Sequence, residues 1–256
     1  MQASVLSSGS KGNSVLVKTD NTKILIDLGV TKSYTEEKLR ELDMDPNEIK
    51  AILITHTHVD HIQGLKVFLK KYHPKLYVNK VILNLLYEYI DDFDYEVYEK
   101  STFNIDDINV KVIKTSHDAD GSVGFVLENN QRSLVYITDT GYINKKYYDV
   151  LSNRNMYIFE SNHDVEMLMN GRYPFHIKQR IVGDKGHLSN VDSSYYLSGF
   201  VGNNTNTIVL AHLSDDNNTY DKALEAIKSA LASKNKSVKN ILIAKQKERT
   251  ELMEVW

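Results

Sequence analysis

From Ala51 to Gly64 the chain reads AILITHTHVDHIQG. The first four residues are apolar and β-branched or aliphatic, as in a short buried strand. Directly after them come three imidazoles and a carboxylate, His56, His58, Asp60 and His61, where the chain turns from strand toward helix. The whole chain has only 9 histidines, so this crowding needs a physical reason. Clustered imidazoles repel one another once protonated, and a divalent cation is the partner that holds them neutral and close together. Spacing of two puts His56 and His58 on the same side of an extended loop, while Asp60 and His61 turn with the helix start toward a second position. Two adjacent metals are the natural product.

One short loop does not fill four to six coordination positions per metal, so further ligands come from elsewhere. Candidates recur in one context. Thr115-Ser116-His117-Asp118 follows an apolar strand over 110–113, Thr138-Asp139-Thr140-Gly141 follows one over 133–137, and Ala211-His212-Leu213-Ser214 follows one over 207–210. Polar residues placed just past buried strands converge at one end of a sheet. Alternation predicts further strands over 14–17, 23–26, 124–127, 156–159 and 240–243. Helical spacing marks 35–42, 64–72, 80–89, 145–151, 191–198 and 220–233. Strands dominate each half, with helices interspersed late in each. That order suggests an α/β chain of two sheets packed together with helices outside, and leaves an open doubly wound sheet as the alternative.

The 256 residues are enough for a sizeable core, and 41% hydrophobic with 25% charged residues is ordinary for a folded domain. No linker or repeat divides the chain, so a single domain over 1–256 is expected. Cysteine is absent, which excludes disulfide scaffolds, thiolate nucleophiles and Cys-based zinc sites; any metal is held by His and carboxylate. The net charge of -3 means that nucleic-acid binding must rest on a local basic patch. Met1–Ser7 carries no basic region followed by a long apolar run, and no membrane span is readable, so a cytoplasmic protein is expected. The acidic run 88–99 reads as a solvated helix end and loop, and 202–206 as a turn cluster.

With His56, His58, Asp60 and His61 followed in order by His117, Asp139 and His212, the chain resembles the metallo-β-lactamase superfamily. The resemblance covers essentially its whole length. LSSGSKGNS at 6–14, TSHDA at 115–119, TDTG at 138–141, ESNHD at 160–164, GRYP at 171–174 and KGHLSN at 185–190 narrow it to the YycJ-type branch. That branch is similar to RNase Z and to phosphonate-pathway phosphodiesterases. The resemblance implies a four-layer αββα sandwich, two mixed β-sheets with helices on the outer faces. It also implies a binuclear metal-dependent hydrolase, a phosphodiesterase or 5′ to 3′ DNA exonuclease in character. His56, His58 and His117 would hold the first metal, Asp60, His61 and His212 the second, and Asp139 would bridge them. The nucleophile would be a hydroxide shared by the two ions, with Asp60 orienting it. Zinc suits the His-rich set; the carboxylates leave manganese open.

His187 in Gly186-His187-Leu188-Ser189-Asn190 matches the position of a phosphate-contacting general acid in the phosphodiesterase branches, and imidazole has a suitable pKa for that role. Its alternative reading is a helix cap near Val191, which Ser189 or Asn190 would serve equally. Glu160 is expected to bond a metal ligand or His187, and His163 lies in the same phrase. Arg172, Lys178 and Arg180, followed by Lys185, form a basic run ahead of His187 that suits a DNA or RNA backbone. Surface charge is the plain alternative. The glycine-rich loop 7–14 lacks P-loop spacing and reads as structural, with Asn13 behind the site. A hydrolase of small molecules (lactone, thioester or cyclic phosphodiester) and a non-catalytic metal-binding regulator are the rival functions. No membrane partner is expected, and a homodimer is left open.

Overall fold

The computed structural model describes residues 1–256, which form two compact units: 1–112 with 119–123 and 245–254, and 113–118 with 124–244 and 255–256.

The first unit begins with β1 (Gln2–Ser7), β2 (Ser14–Lys18), β3 (Lys23–Ile26), α1 (Lys32–Arg40) and β4 (Ala51–Leu53). It continues through α2 (Val59–Ile62), α3 (Leu65–Tyr72), β5 (Lys75–Val78), α4 (Lys80–Leu86), β6 (Tyr95–Val97), β7 (Thr102–Ile105) and β8 (Ile108–Lys114), the last crossing the unit boundary. Then follow β9 (Val123–Asn129), β10 (Arg132–Ile137), α5 (Tyr148–Leu151), β11 (Met156–Glu160), α6 (Val165–Asn170), α7 (Phe175–Val182), α8 (Asn190–Phe200), β12 (Thr207–Ala211), α9 (Tyr220–Ser233) and β13 (Asn240–Ile243) of the second unit. β14 (Met253–Glu254) returns to pair with β1. The strands form two seven-stranded sheets, ordered β14-β1-β2-β3-β4-β5-β6 and β13-β12-β11-β10-β9-β8-β7. Each is mixed. β14, β1, β2 and β3 are antiparallel and β3 to β6 parallel; β9 and β10 are antiparallel and β10 to β13 parallel.

In the first unit Leu16, Leu25 and Ile52 of the sheet join Leu39, Phe68 and Ile82 of α1, α3 and α4 in one core. In the second, Val135, Tyr157 and Leu210 join Leu197 of α8 and Ile227 of α9, and these two helices pack on each other. β3 and β13, like α9, have the bounds that periodicity predicts. β1, β5, β6, β7, β14, α2, α6 and α7 are additional. β1 buries Ser4 and Ser7 along with its apolar residues, so no alternation marks it. α7 buries no residue at all. The acidic run 88–99 is mostly exposed turn, as expected, but contains the edge strand β6. No helix is long and apolar enough to cross a membrane.

Topology explains why polar residues gather where they do. In the register of β10, β11 and β12, Ile137 faces Phe159 and Glu160 faces Ala211, so Thr138-Asp139, Glu160 and Ala211-His212 leave the sheet at one level. The carboxyl ends of neighbouring parallel strands are where an open α/β sheet places ligands. Likewise β3 and β4 end side by side, Ile26 opposite Leu53, and deliver Asp27 and the Thr55–His61 loop together. Asp27, Asp139 and His212 all turn off their strands at positive φ, 59°, 56° and 57°.

Candidate metal centre

In the first unit the motif of the Ala51–Gly64 stretch is held from behind by Asp27. This carboxylate is fully buried; Oδ1 accepts the Thr55 N–H at 2.8 Å, and Oδ2 accepts the Thr55 hydroxyl at 2.8 Å and lies 2.8 Å from His61 Nδ1. The Thr55 hydroxyl is also 3.1 Å from His56 Nδ1. A carboxylate opposite Nδ1 fixes the proton there and leaves Nε2 as the lone-pair nitrogen. Asn13 agrees with that assignment, because its amide nitrogen lies 3.1 Å from His61 Nε2 and needs an acceptor. The His56 ring packs at 4.7 Å from that of His58 and 4.0 Å from that of His61, and Asp60 Oδ2 is 3.6 Å from His61 Nε2. α2 begins at Val59 with His58 as its N-cap, so Asp60 and His61 project from its first turn. Gly29 permits the arrangement: a Cβ there would lie 1.6 Å from the Asp60 carbonyl oxygen.

The second unit gathers Asp139, Glu160, His187 and His212, with one donor atom of each within 4.8 Å of the others. Glu160 is fully buried and has both oxygens engaged. Oε1 lies 2.8 Å from His187 Nδ1 and 2.9 Å from His212 Nδ1, while Oε2 accepts the backbone N–H groups of Thr140 and Leu188 at 3.0 and 3.1 Å. Burial alone would raise its pKa, but the His187 and His212 imidazoles outweigh it and hold the carboxyl well below the usual range. For His187 burial works against protonation, and Glu160 with Asp139 overcomes it, so its pKa is raised. His117 lies close by, Nδ1 3.3 Å from the Gly186 carbonyl and Nε2 3.8 Å from Asp139 Oδ1; burial lowers its pKa despite Asp139.

The donor set fits divalent metal. His56 and His61 in the first unit, and His117, His187 and His212 in the second, each have Nδ1 beside a carboxylate, hydroxyl or carbonyl oxygen. That is the outer support which metal-binding histidines need to offer Nε2. Carboxylates stand among them in both units.

The remaining candidates separate clearly. His163 is buried, with Nδ1 lacking a hydrogen-bond partner and burial pushing its pKa down to about 4; its carbonyl accepts the Asn190 N–H at 2.8 Å, so it braces the His187 loop. Arg172 is exposed in the turn before α7. Lys178 donates to the Met169 carbonyl at 2.7 Å, and Arg180 pairs with Asp118, so half of the basic run is already engaged. Ser189 caps α8 by accepting the Asp192 N–H at 3.1 Å, which relieves His187 of the capping role. His73 ends α3 in the left-handed region, and His176 is exposed on α7. Asp27, which supports Thr55 and His61 from behind, is marked by no motif in the sequence. It too follows an apolar strand directly, but no neighbouring histidine flags it.

The model of the metallo-beta-lactamase superfamily matches residues 8–165. An exodeoxyribonuclease YycJ of Bacillus anthracis is 40% identical over 237 residues, 90% of this chain and 89% of that protein. An exodeoxyribonuclease WalJ of Streptococcus pneumoniae is 36% identical over 90% of this chain and 87% of its own. The crystal structure of the metallo-beta-lactamase fold protein YhfI from Bacillus subtilis superposes with a TM-score of 0.72 at 14% identity, covering 97% of this chain and 98% of that one. The two mixed sheets with their helices are therefore the sandwich that the motifs implied. By the family match, by these relatives and by its His and Asp donors, the chain belongs to the metallo-β-lactamase superfamily.

Proposed function

We propose that the protein is a binuclear metal-dependent phosphodiesterase that degrades DNA as a 5′ to 3′ exonuclease. As the sequence motifs imply, His56, His58 and His117 would hold one metal, Asp60, His61 and His212 the other, and Asp139 would serve both. Zinc is the metal we assign, because imidazoles dominate the set. When bound, the two ions lower the pKa of a shared water and offset charge on the phosphoryl oxygens.

The chain's own residues supply the rest. Glu160 carries the proposal: one buried oxygen holds the Nδ1 of both His212, a ligand in this reading, and His187, which is not. His187 therefore has a fixed ring, a raised pKa and Nε2 as its outward nitrogen, the properties of a general acid that protonates a leaving sugar oxygen at neutral pH. Asp60 orients the attacking water. Arg172 and Lys185 bind backbone phosphate. DNA as substrate rests on the exodeoxyribonuclease relatives.

The test compares two substrates with different leaving groups. With Zn²⁺ or Mn²⁺ restored, the protein is expected to shorten a labelled DNA strand and to hydrolyse bis-p-nitrophenyl phosphate. His187→Ala should lower DNA cleavage about 10²- to 10⁴-fold while affecting p-nitrophenolate release far less, since that group departs unprotonated. Equal loss on both substrates removes His187 as the acid, and no hydrolysis of either by the metal-loaded protein removes the phosphodiesterase reading.

A further inference from the structure

The second unit contains a cavity of about 130 Å³ that the reading above leaves unused, lined by Lys114, Thr115, Ser116, Tyr142, Asn144 and Lys146, with Tyr147 at its wall. That space is enough for a phosphate group with its ester oxygens. Its lining brings two lysines, four hydroxyl-bearing side chains and a carboxamide, and no carboxylate. Such a composition selects for an anion rather than an apolar ligand or a cation.

Tyr147 ties the Lys114 backbone to the Lys146 side chain. Tyr147 accepts the Lys114 N–H at its hydroxyl, 3.1 Å away, and its ring centroid lies 4.9 Å from Lys146 Nζ. Asn144 caps the turn that carries Lys146 by accepting its N–H at 3.1 Å.

Position supplies the second argument. Thr115 and Ser116 directly precede His117, and Tyr142 follows Asp139 by three residues. The two loops are stitched together: Ser116 N–H donates to Thr140 Oγ1 at 3.0 Å, Gly141 N–H to the Ser116 carbonyl at 2.9 Å, and the Thr140 hydroxyl to the Tyr142 carbonyl at 2.8 Å. Thr140 N–H in turn bonds Glu160. The cavity wall is thus the flank of the same rigid loops that present His117 and Asp139.

We propose that this cavity seats a second phosphate of the nucleic-acid strand, one that is not being cleaved, with Lys114 and Lys146 as its counter-charges. The proposal rests on the nucleic-acid reading above and adds a positioning subsite to it. Phosphate contacts away from the reacting bond fix the register of a strand without reading its sequence. Here the register would be set against the loops that carry His117 and Asp139.

The probe is a fluorescein-labelled single-stranded oligodeoxynucleotide with phosphorothioate linkages, which keep the charge and resist cleavage, titrated against the metal-loaded protein by anisotropy at several salt concentrations. The double variant Lys114→Ala/Lys146→Ala is expected to bind about tenfold more weakly, and its log–log salt slope to flatten by about 0.7, the share of one single-strand phosphate. Lys66→Ala/Lys70→Ala removes the same charge from α3 and should bind as the unaltered protein does. Both variants losing affinity equally, neither losing it, or absence of binding by the unaltered protein would each overturn the subsite. A 5′-phosphate preference that disappears in the cavity variant identifies the seated group as terminal; equal weakening of 5′-phosphate and 5′-hydroxyl strands identifies it as internal. Bis-p-nitrophenyl phosphate hydrolysis without DNA binding removes the subsite and leaves the phosphodiesterase reading. Lysine-dependent DNA binding without hydrolysis of either substrate does the reverse.

Discussion

Replacing Glu160 by glutamine keeps the shape of the side chain and removes its charge. The consequence follows from the four contacts. All of them come from donors, two imidazole Nδ1–H groups on one oxygen and two backbone N–H groups on the other. A carboxamide has one acceptor and one donor end, so whichever way it is turned, its NH₂ meets two donors in a fully buried site. Breaking a buried charge pair by altering one partner costs about 3 to 5 kcal/mol, which for a chain of this size lowers Tm by on the order of 10 °C. The same change releases the His187 ring and removes the charge that raises its pKa. DNA cleavage should therefore fall about as far as in His187→Ala, with p-nitrophenolate release falling less. Thermal unfolding and two-substrate kinetics on Glu160→Gln, His187→Ala and the double variant make the measurement. If Glu160 acts through His187, the double variant cleaves DNA no more slowly than Glu160→Gln alone. A Glu160→Gln protein within about 1 kcal/mol of the unaltered stability, with an unchanged ratio between the two substrates, refutes the reasoning.

Asp27→Asn should weaken metal binding by about 10- to 100-fold, read by competition with a chromophoric chelator, because the amide no longer fixes the proton of His61 on Nδ1; unchanged affinity would leave Asp27 a purely structural residue. His163 has a pH signature: the unfolded imidazole takes up its proton near 6.5 and the folded one only near 4, so stability is lost as pH falls through that interval. The full effect is roughly 3 kcal/mol, and His163→Gln should flatten the stability curve between those two values; a variant with the same slope excludes His163 as its source. Gly29→Ala should yield little folded protein, because its Cβ would overlap the Asp60 carbonyl at 1.6 Å and backbone must move to relieve it. Normal expression and metal content in that variant would contradict the close approach.

The His56–His61 cluster was legible because its chemistry is concentrated in one phrase; strands such as β4, β11 and β12 were legible as short apolar runs because they are buried throughout, and α9 because one face of it is buried. What escaped lacked one of these properties. Asp27 is a lone acid after KILI, and its role appears only once β3 and β4 are paired. The four-residue α2 is too short for periodicity, and α7 stands out from the core with Phe175 70% exposed. The basic run read from 172 to 180 was legible as charge, but sequence gives no sign that Lys178 and Arg180 already have partners.

Asp27, Asp139 and His212 leave their strands in the left-handed region, which non-glycine residues occupy at a cost of about 1 kcal/mol or more each. Glycine would adopt these corners without that cost, yet it carries no donor atom. Each of these strand ends is therefore a built-in weak corner, kept in place by whatever its side chain holds. Stripping metal from the protein should loosen these corners before the sheets themselves, so that amide exchange and protease cutting begin at 27–29, 138–141 and 211–214. Among homologous enzymes tuned for heat, gains would then be found in helices and sheet interiors, with these three corners the last places to change.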